Sequence, residues 1–254
     1  MAKNTPSRQS GLIMPKNFPF SAYRKIESIM CIQNKKYPQS VSEFISAWKA
    51  VAYRFYTCYK SNEGFSKSLK KAGDNPNHPE RHKQESNFFN FFVNGISTLE
   101  SFYYALYMIA STVKPNSFPI RPSDLKKIYI TNIRKKDSKF NDVFHNERIT
   151  CKLNQLINST EFNEWKKVRN ALIHIISPSV ISNNQEINIM LNTDKIPMQV
   201  INIAIKKGKT SWKIKNGITI NIDKNTTNSR FSWFEDSLIN LMDATQDFTY
   251  KYIK

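Results

Sequence analysis

The stretch KKVRNALIHIISP, residues Lys166–Pro178, sets an Arg, an Asn and a His into an apolar run close to a helix stop. At about 100° per residue, Lys166, Arg169, Asn170, His174 and Ser177 fall within one arc of roughly 140°. Trp165, Val168, Ala171, Leu172 and Ile175 cover the other side. The polar residues therefore form one stripe of an amphipathic helix. Ser177-Pro178 ends it, because a residue before proline avoids the α region. Ser159 or Thr160 caps its start. Ile173 also lies in the stripe, and an apolar residue there predicts partial cover, as by a second subunit.

Outward from this helix, most of the chain has helical texture. Residues 1–20 read as an arm, and 21–254 as a single domain. A short helix is expected from about Ser21 to Gln33. SVSEFISAWKAVAYRFYTCYK (40–60) places Val41, Phe44, Trp48, Val51, Phe55 and Cys58 at helical spacing. Gly, Asn and Pro mark 61–79 as a loop, and Pro79 suits the first turn of a helix running to about Thr112. Ser123 is a candidate N-cap for the next segment, and a short helix is expected near Ile149–Asn158. After Pro178 the period changes. EINIMLN, QVINIAI, SWKIK and ITINI alternate Ile and Val with polar residues, which predicts a small antiparallel sheet over about 183–224. Ser232 and Glu235 form a capping-box pattern before a last helix. The predicted fold is mainly α: a helical bundle with a small antiparallel β insertion before its final helix.

Composition narrows the partners. The chain has 38 Lys and Arg against 20 Asp and Glu, a formal charge of +18, and 17 Phe with 11 Tyr for a core. Such a surface attracts polyanions, nucleic acid foremost, although AT-rich codon usage also enriches Lys, Asn, Ile and Phe. Three separated cysteines, Cys31, Cys58 and Cys151, indicate neither a zinc ribbon nor a disulfide framework, which points to a reduced, cytoplasmic protein. The N-terminal twenty residues lack a signal-peptide core. Asn90, Asn94, Ser97, Glu100 and Ser101 interrupt the greasiest segment, so no membrane span is expected.

The chemistry of the stripe is specific. Histidine titrates near neutrality and can both take and give a proton. Arginine offers a fixed fork of donors suited to phosphate, and Asn170 can orient either group. A solvated helix face would look similar, since short motifs also match by chance. Glu100, among Leu99, Phe102, Tyr103 and Tyr104, needs a partner if buried. It could hold Arg169, pair elsewhere, or lie on the polar stripe of Asn90, Asn94, Ser97 and Ser101. His78, His82 and Glu85 have metal-ligand spacing on a helix, but a solvated first turn explains them better, and no metal site is expected. Gly208-Lys209-Thr210 resembles the tail of a phosphate-binding loop. Ile203 stands where its first glycine belongs, so a hairpin turn is the better reading. Lys206, Lys207 and Lys209 could touch RNA backbone or form a solvated strand face.

RNALIH, with a polar residue directly after the Arg and a position late in a helical chain, resembles the R-x(4–6)-H motif of the HEPN superfamily. ESNFFNFFVNGISTLESFYYALY and LINSTEFNEWKKVRNALIH are similar to that family's long helix and motif helix, and the likeness spans about residues 40–176. The β insertion departs from it. The resemblance implies an endoribonuclease that needs no metal or other cofactor, with Arg169, Asn170 and His174 as catalytic set. Glu100 and Lys166 would support it. It implies RNA as substrate, a homodimer joined through the motif helix, and a toxin or phage-defence role, possible antitoxin or regulatory partner included. The rivals are a non-catalytic HEPN-type module that binds RNA or nucleotides, and a helical interaction protein.

Overall fold

The computed structural model describes residues 8–9, 11–73, 76–134, 138–174, 201–206, 209–214, 218–222 and 226–253. Two short strands, β1 (Arg8–Gln9) and β2 (Leu12–Ile13), pair antiparallel around Gly11, whose φ of 80° suits glycine. Met14 and Phe18 then enter the core, so the end of the N-terminal segment is anchored. Helix α1 spans Phe20–Ile32. It is clamped to α2 (Pro38–Ala72) by a reciprocal pair: Tyr23 Oη donates to Trp48 O and Trp48 Nε1 donates to Tyr23 O, both at 3.1 Å.

Helices α2 and α3 (His78–Val113) have 35 and 36 residues and form an antiparallel hairpin. Ser40 meets Ser111, Arg54 meets Ser97 and Ser101, and Ser68 meets Glu80. Asn77 caps α3 by accepting from Glu80 N at 3.2 Å, with Pro79 in the first turn as expected. Where a loop was expected over 61–79, α2 continues to Ala72 and α3 begins at His78. Asn62 and Gly64, two of the residues that suggested it, lie inside α2, where Ser61, Asn62, Phe65 and Ser68 are buried. A Cβ on Gly64 would lie 2.7 Å from the Asn87 side chain. They permit close helix packing and do not break the helix.

A short helix α4 (Pro122–Leu125) starts at Arg121, not Ser123, and a 3₁₀ turn follows at Ile130–Arg134. Helices α5 (Lys139–Phe144), α6 (Arg148–Asn158) and α7 (Thr160–His174) come next. Three strands, β3 (Ile201–Lys206), β4 (Lys209–Ile214) and β5 (Ile218–Ile222), pair antiparallel in chain order. The strand expected at EINIMLN lies outside the described residues. Helix α8 (Thr226–Tyr252) begins earlier than the Ser232–Glu235 pattern suggested. Buried Thr227 and Phe231 extend its core face, and Glu235 instead accepts a hydrogen bond from Asn17 Nδ2 at 3.3 Å.

The protein is thus mainly α, around an aromatic core that includes Phe44, Trp48, Phe55, Phe92, Phe102 and Trp165. Among the described residues no helix is long and apolar enough to cross a membrane.

Candidate active site

Helix α7 starts where Ser159 Oγ accepts from Phe162 N at 3.1 Å, which settles the cap on Ser159. Its apolar side, Phe162, Trp165, Val168 and Leu172, is buried. Trp165 seats the helix. Its ring centroid lies 4.8 Å from Phe91, 5.3 Å from Phe92 and 5.4 Å from Phe234. Gly95 makes this possible, since a Cβ there would stand 1.7 Å from Trp165 Cζ3. An ion pair between Arg230 and Glu164 ties α8 to the same turn.

One turn beyond Trp165, Arg169 Nη2 donates to Glu100 Oε1. The two contacts, Gly95 with Trp165 and Glu100 with Arg169, advance in the same sense, so α3 and α7 run side by side in one direction. Arg169 Nη1 also donates to Asn170 Oδ1 at 3.2 Å, and Arg169 Nε is buried without a partner among the described residues. The side chains are 18% exposed for Arg169 and 37% for Glu100. Glu100 is therefore only partly buried, and of the partners open to it, it takes Arg169. It is a rim residue that fixes a mostly covered guanidinium.

In the structure Arg169 touches both Asn170 and Glu100. Lys166 lies half-buried one turn before Asn170. His174 is the last residue of α7, five positions and about 7.5 Å of helix rise beyond Arg169; its side chain, with Ile175 and Ser177, lies outside the described residues. Ile173 is 44% exposed on the same helix. Lys206 and Lys209 are opposite each other where β3 meets β4, and Lys207 lies outside the described residues.

Other candidates separate from this site. His78 and His82 are exposed, while Glu85 is buried and accepts from Arg81 Nε at 3.0 Å. Among the described residues no group of His, Cys, Asp and Glu could hold a metal ion. One residue near the site was not singled out by the sequence. Arg54 of α2 donates through Nη1 to Ser97 O at 2.9 Å and to Ser101 Oγ at 2.5 Å, in the same turn of α3 as Glu100. Its signal in the sequence is a cation with no acid three or four positions away: Ala50, Val51, Thr57 and Cys58 stand there. On the next turn, Tyr104 Oη donates to Glu43 at 2.9 Å, and burial together with that bond raises the Tyr104 pKa.

No protein-family model matches the chain, and no curated protein or solved structure shows significant similarity to it.

Proposed function

We propose that the chain is a HEPN-like, metal-independent endoribonuclease acting as a toxin or phage-defence nuclease in the cytoplasm. The observation that carries this reading is the Arg169–Glu100 pair: the motif arginine is held on the polar side of α7, with Asn170 on its fork and His174 five residues further on. An arginine fixed in this way supports recognition of a phosphate with little loss of side-chain entropy.

The reaction is internal transesterification. The ribose 2′-oxygen bonds to the adjacent phosphorus as the bond from phosphorus to the 5′-oxygen breaks. A base takes the 2′-hydroxyl proton, and an acid returns a proton to the departing 5′-oxygen. His174 serves in this exchange, and Arg169 stabilises charge growing on the phosphoryl oxygens. Asn170 orients the guanidinium. Products carry a 2′,3′-cyclic phosphate and a 5′-hydroxyl.

Arg169 and His174 occupy positions roughly 140° apart around one helix. A homodimer with facing motif helices resolves this, and exposed Ile173 supplies an apolar contact for it. Strands β3–β5 are a β insertion into this bundle, where Lys206, Lys207 and Lys209 collect RNA. An antitoxin or regulatory partner would restrain the activity.

Arg169→Ala tests the proposal. It should lower cleavage of labelled RNA by at least about a hundredfold while the protein stays folded. A variant that cuts as fast as the parent would leave Arg169 without a catalytic role and favour the binding or interaction rivals.

A further inference from the structure

Charges taken out of water are normally paired, and the half-buried Arg81, Arg169 and Arg230 follow this rule. Arg24, Arg81, Arg121, Arg148, Arg169 and Arg230 each hold a carboxylate. Arg54 is different. It is half-buried, forms no ion pair among the described residues, and is fixed by two neutral oxygens, Ser97 O and Ser101 Oγ. Both bonds use Nη1. An arginine has five N–H donors, so the two on Nη2 and the one on Nε have no protein partner among the described residues.

The position of this unused fork matters. Ser97, Glu100 and Ser101 belong to one turn of α3. Arg54 reaches that turn from α2, and Arg169 reaches it from α7. Every residue of α3 from Gln84 to Val113 is buried or half-buried, so the strip between the flanking helices carries no fully exposed side chain of α3. Glu100 is already paired with Arg169. Arg54 leaves the turn with one uncompensated positive charge and a preorganised set of donors, and a singly charged phosphodiester supplies the missing anion.

We propose that Arg54 binds a backbone phosphate of RNA over the Ser97–Ser101 turn of α3, across the strip from Arg169. This rests on the reading of Arg169 as part of a nuclease site. It adds a second phosphate contact on a different helix, so that substrate lies across α3 from α2 to α7. Arg54 positions the strand, and the bond change stays with the motif helix.

The test uses the full chain with two probes: a fluorescent 2′-O-methyl RNA, which has no free 2′-hydroxyl and cannot be cut, and the matching labelled RNA. Arg54→Gln should weaken binding of the first by about tenfold or more. It should also lower the slope of log affinity against log salt by about 0.7, the loss of one single-strand phosphate contact. On the second probe, KM should rise more than kcat falls. Arg54→Lys should restore the salt slope and only part of the affinity, because lysine keeps the charge and loses the fork. Unchanged binding and salt slope in Arg54→Gln would overturn the inference. If Arg169→Ala still abolished cleavage, the nuclease reading would survive that failure. If the parent bound the 2′-O-methyl probe with the Arg54-dependent slope but never cut RNA, the inference would stand and the nuclease reading would fall. A parent that bound neither probe would sink both. Phenylglyoxal labelling of the parent gives a measurement free of any folding defect. The 2′-O-methyl RNA should protect Arg54 from modification, and equal labelling with and without it would refute the contact.

Discussion

Replacing Gly95 with alanine tests how the motif helix is seated. Three carbons of the Trp165 ring, Cζ3, Cε3 and Cη2, would lie 1.7, 2.7 and 2.7 Å from the added methyl. Carbon atoms rest at about 3.5–4.0 Å, so the ring or the whole of α7 must move by roughly 2 Å. The ring has no free side, since Trp165 is fully buried against Phe91, Phe92, Trp233 and Phe234. Overpacking usually costs about 1–3 kcal/mol, and expelling a buried tryptophan approaches about 3–5 kcal/mol. Alanine also gains about 1 kcal/mol of helix propensity over glycine. The expected net loss is about 2–4 kcal/mol, a fall in melting temperature of roughly 5–15 °C for a chain of this size. Circular dichroism melts and urea midpoints read it directly. The sign decides the matter: at an open helix position the same change would raise stability, so an unchanged or higher melting temperature would refute the packing argument. Trp165→Leu in the Gly95→Ala background should cost less than the two changes added separately, because the shorter side chain relieves the clash. The shifted helix should also carry Arg169 away from Glu100.

Light scattering should give a homodimer at micromolar concentration. Mixing inactive Arg169→Ala and His174→Ala chains should then restore up to about a quarter of parental activity; an inactive mixture would place each site within one chain. Lys166→Ala should weaken RNA binding in a salt-dependent manner while kcat stays near the parent value, and a lost kcat would assign Lys166 a chemical role. The hydrogen bonds from Tyr59 Oη and Lys60 Nζ hold the Glu63 carboxyl below the ordinary carboxylate range. Its folded pKa is thus lower than its unfolded value near 4.3. The stability it contributes is present above that value and lost as pH falls through the folded pKa. Glu63→Gln should therefore flatten the acid limb of the melting curve by a small amount, under about 1 kcal/mol after screening by solvent, and identical limbs would refute the linkage.

Much of the helical architecture was legible because apolar spacing survives in the sequence. The buried Val41, Phe44, Trp48, Val51, Phe55 and Cys58 face of α2 is the face that periodicity selects, and Trp165, Val168 and Leu172 behave likewise on α7. The misreadings have a common cause. Small polar residues carry two meanings: Ser61, Asn62, Gly64 and Ser68 look like loop formers, yet they line a close contact between α2 and α3. Ser232 and Glu235 match a cap pattern inside a helix whose start is fixed by tertiary burial of Thr227 and Phe231. At the site, Arg169 and Asn170 could be selected from one helix. The link of Arg169 to Glu100, 69 positions away, was one of several readings. Arg54 carried only a weak local sign, the lack of an acid three or four positions away, because its meaning depends on which partners α3 offers.

The most direct measurement is cleavage of 5′-labelled RNA by the purified full chain in excess EDTA, with the product ends identified by mass spectrometry. The account predicts cleavage that persists in chelator and yields 2′,3′-cyclic phosphate and 5′-hydroxyl ends, with loss of at least about a hundredfold in His174→Ala. An absolute need for a divalent metal, 3′-hydroxyl and 5′-phosphate ends, or cleavage undiminished in His174→Ala would contradict it.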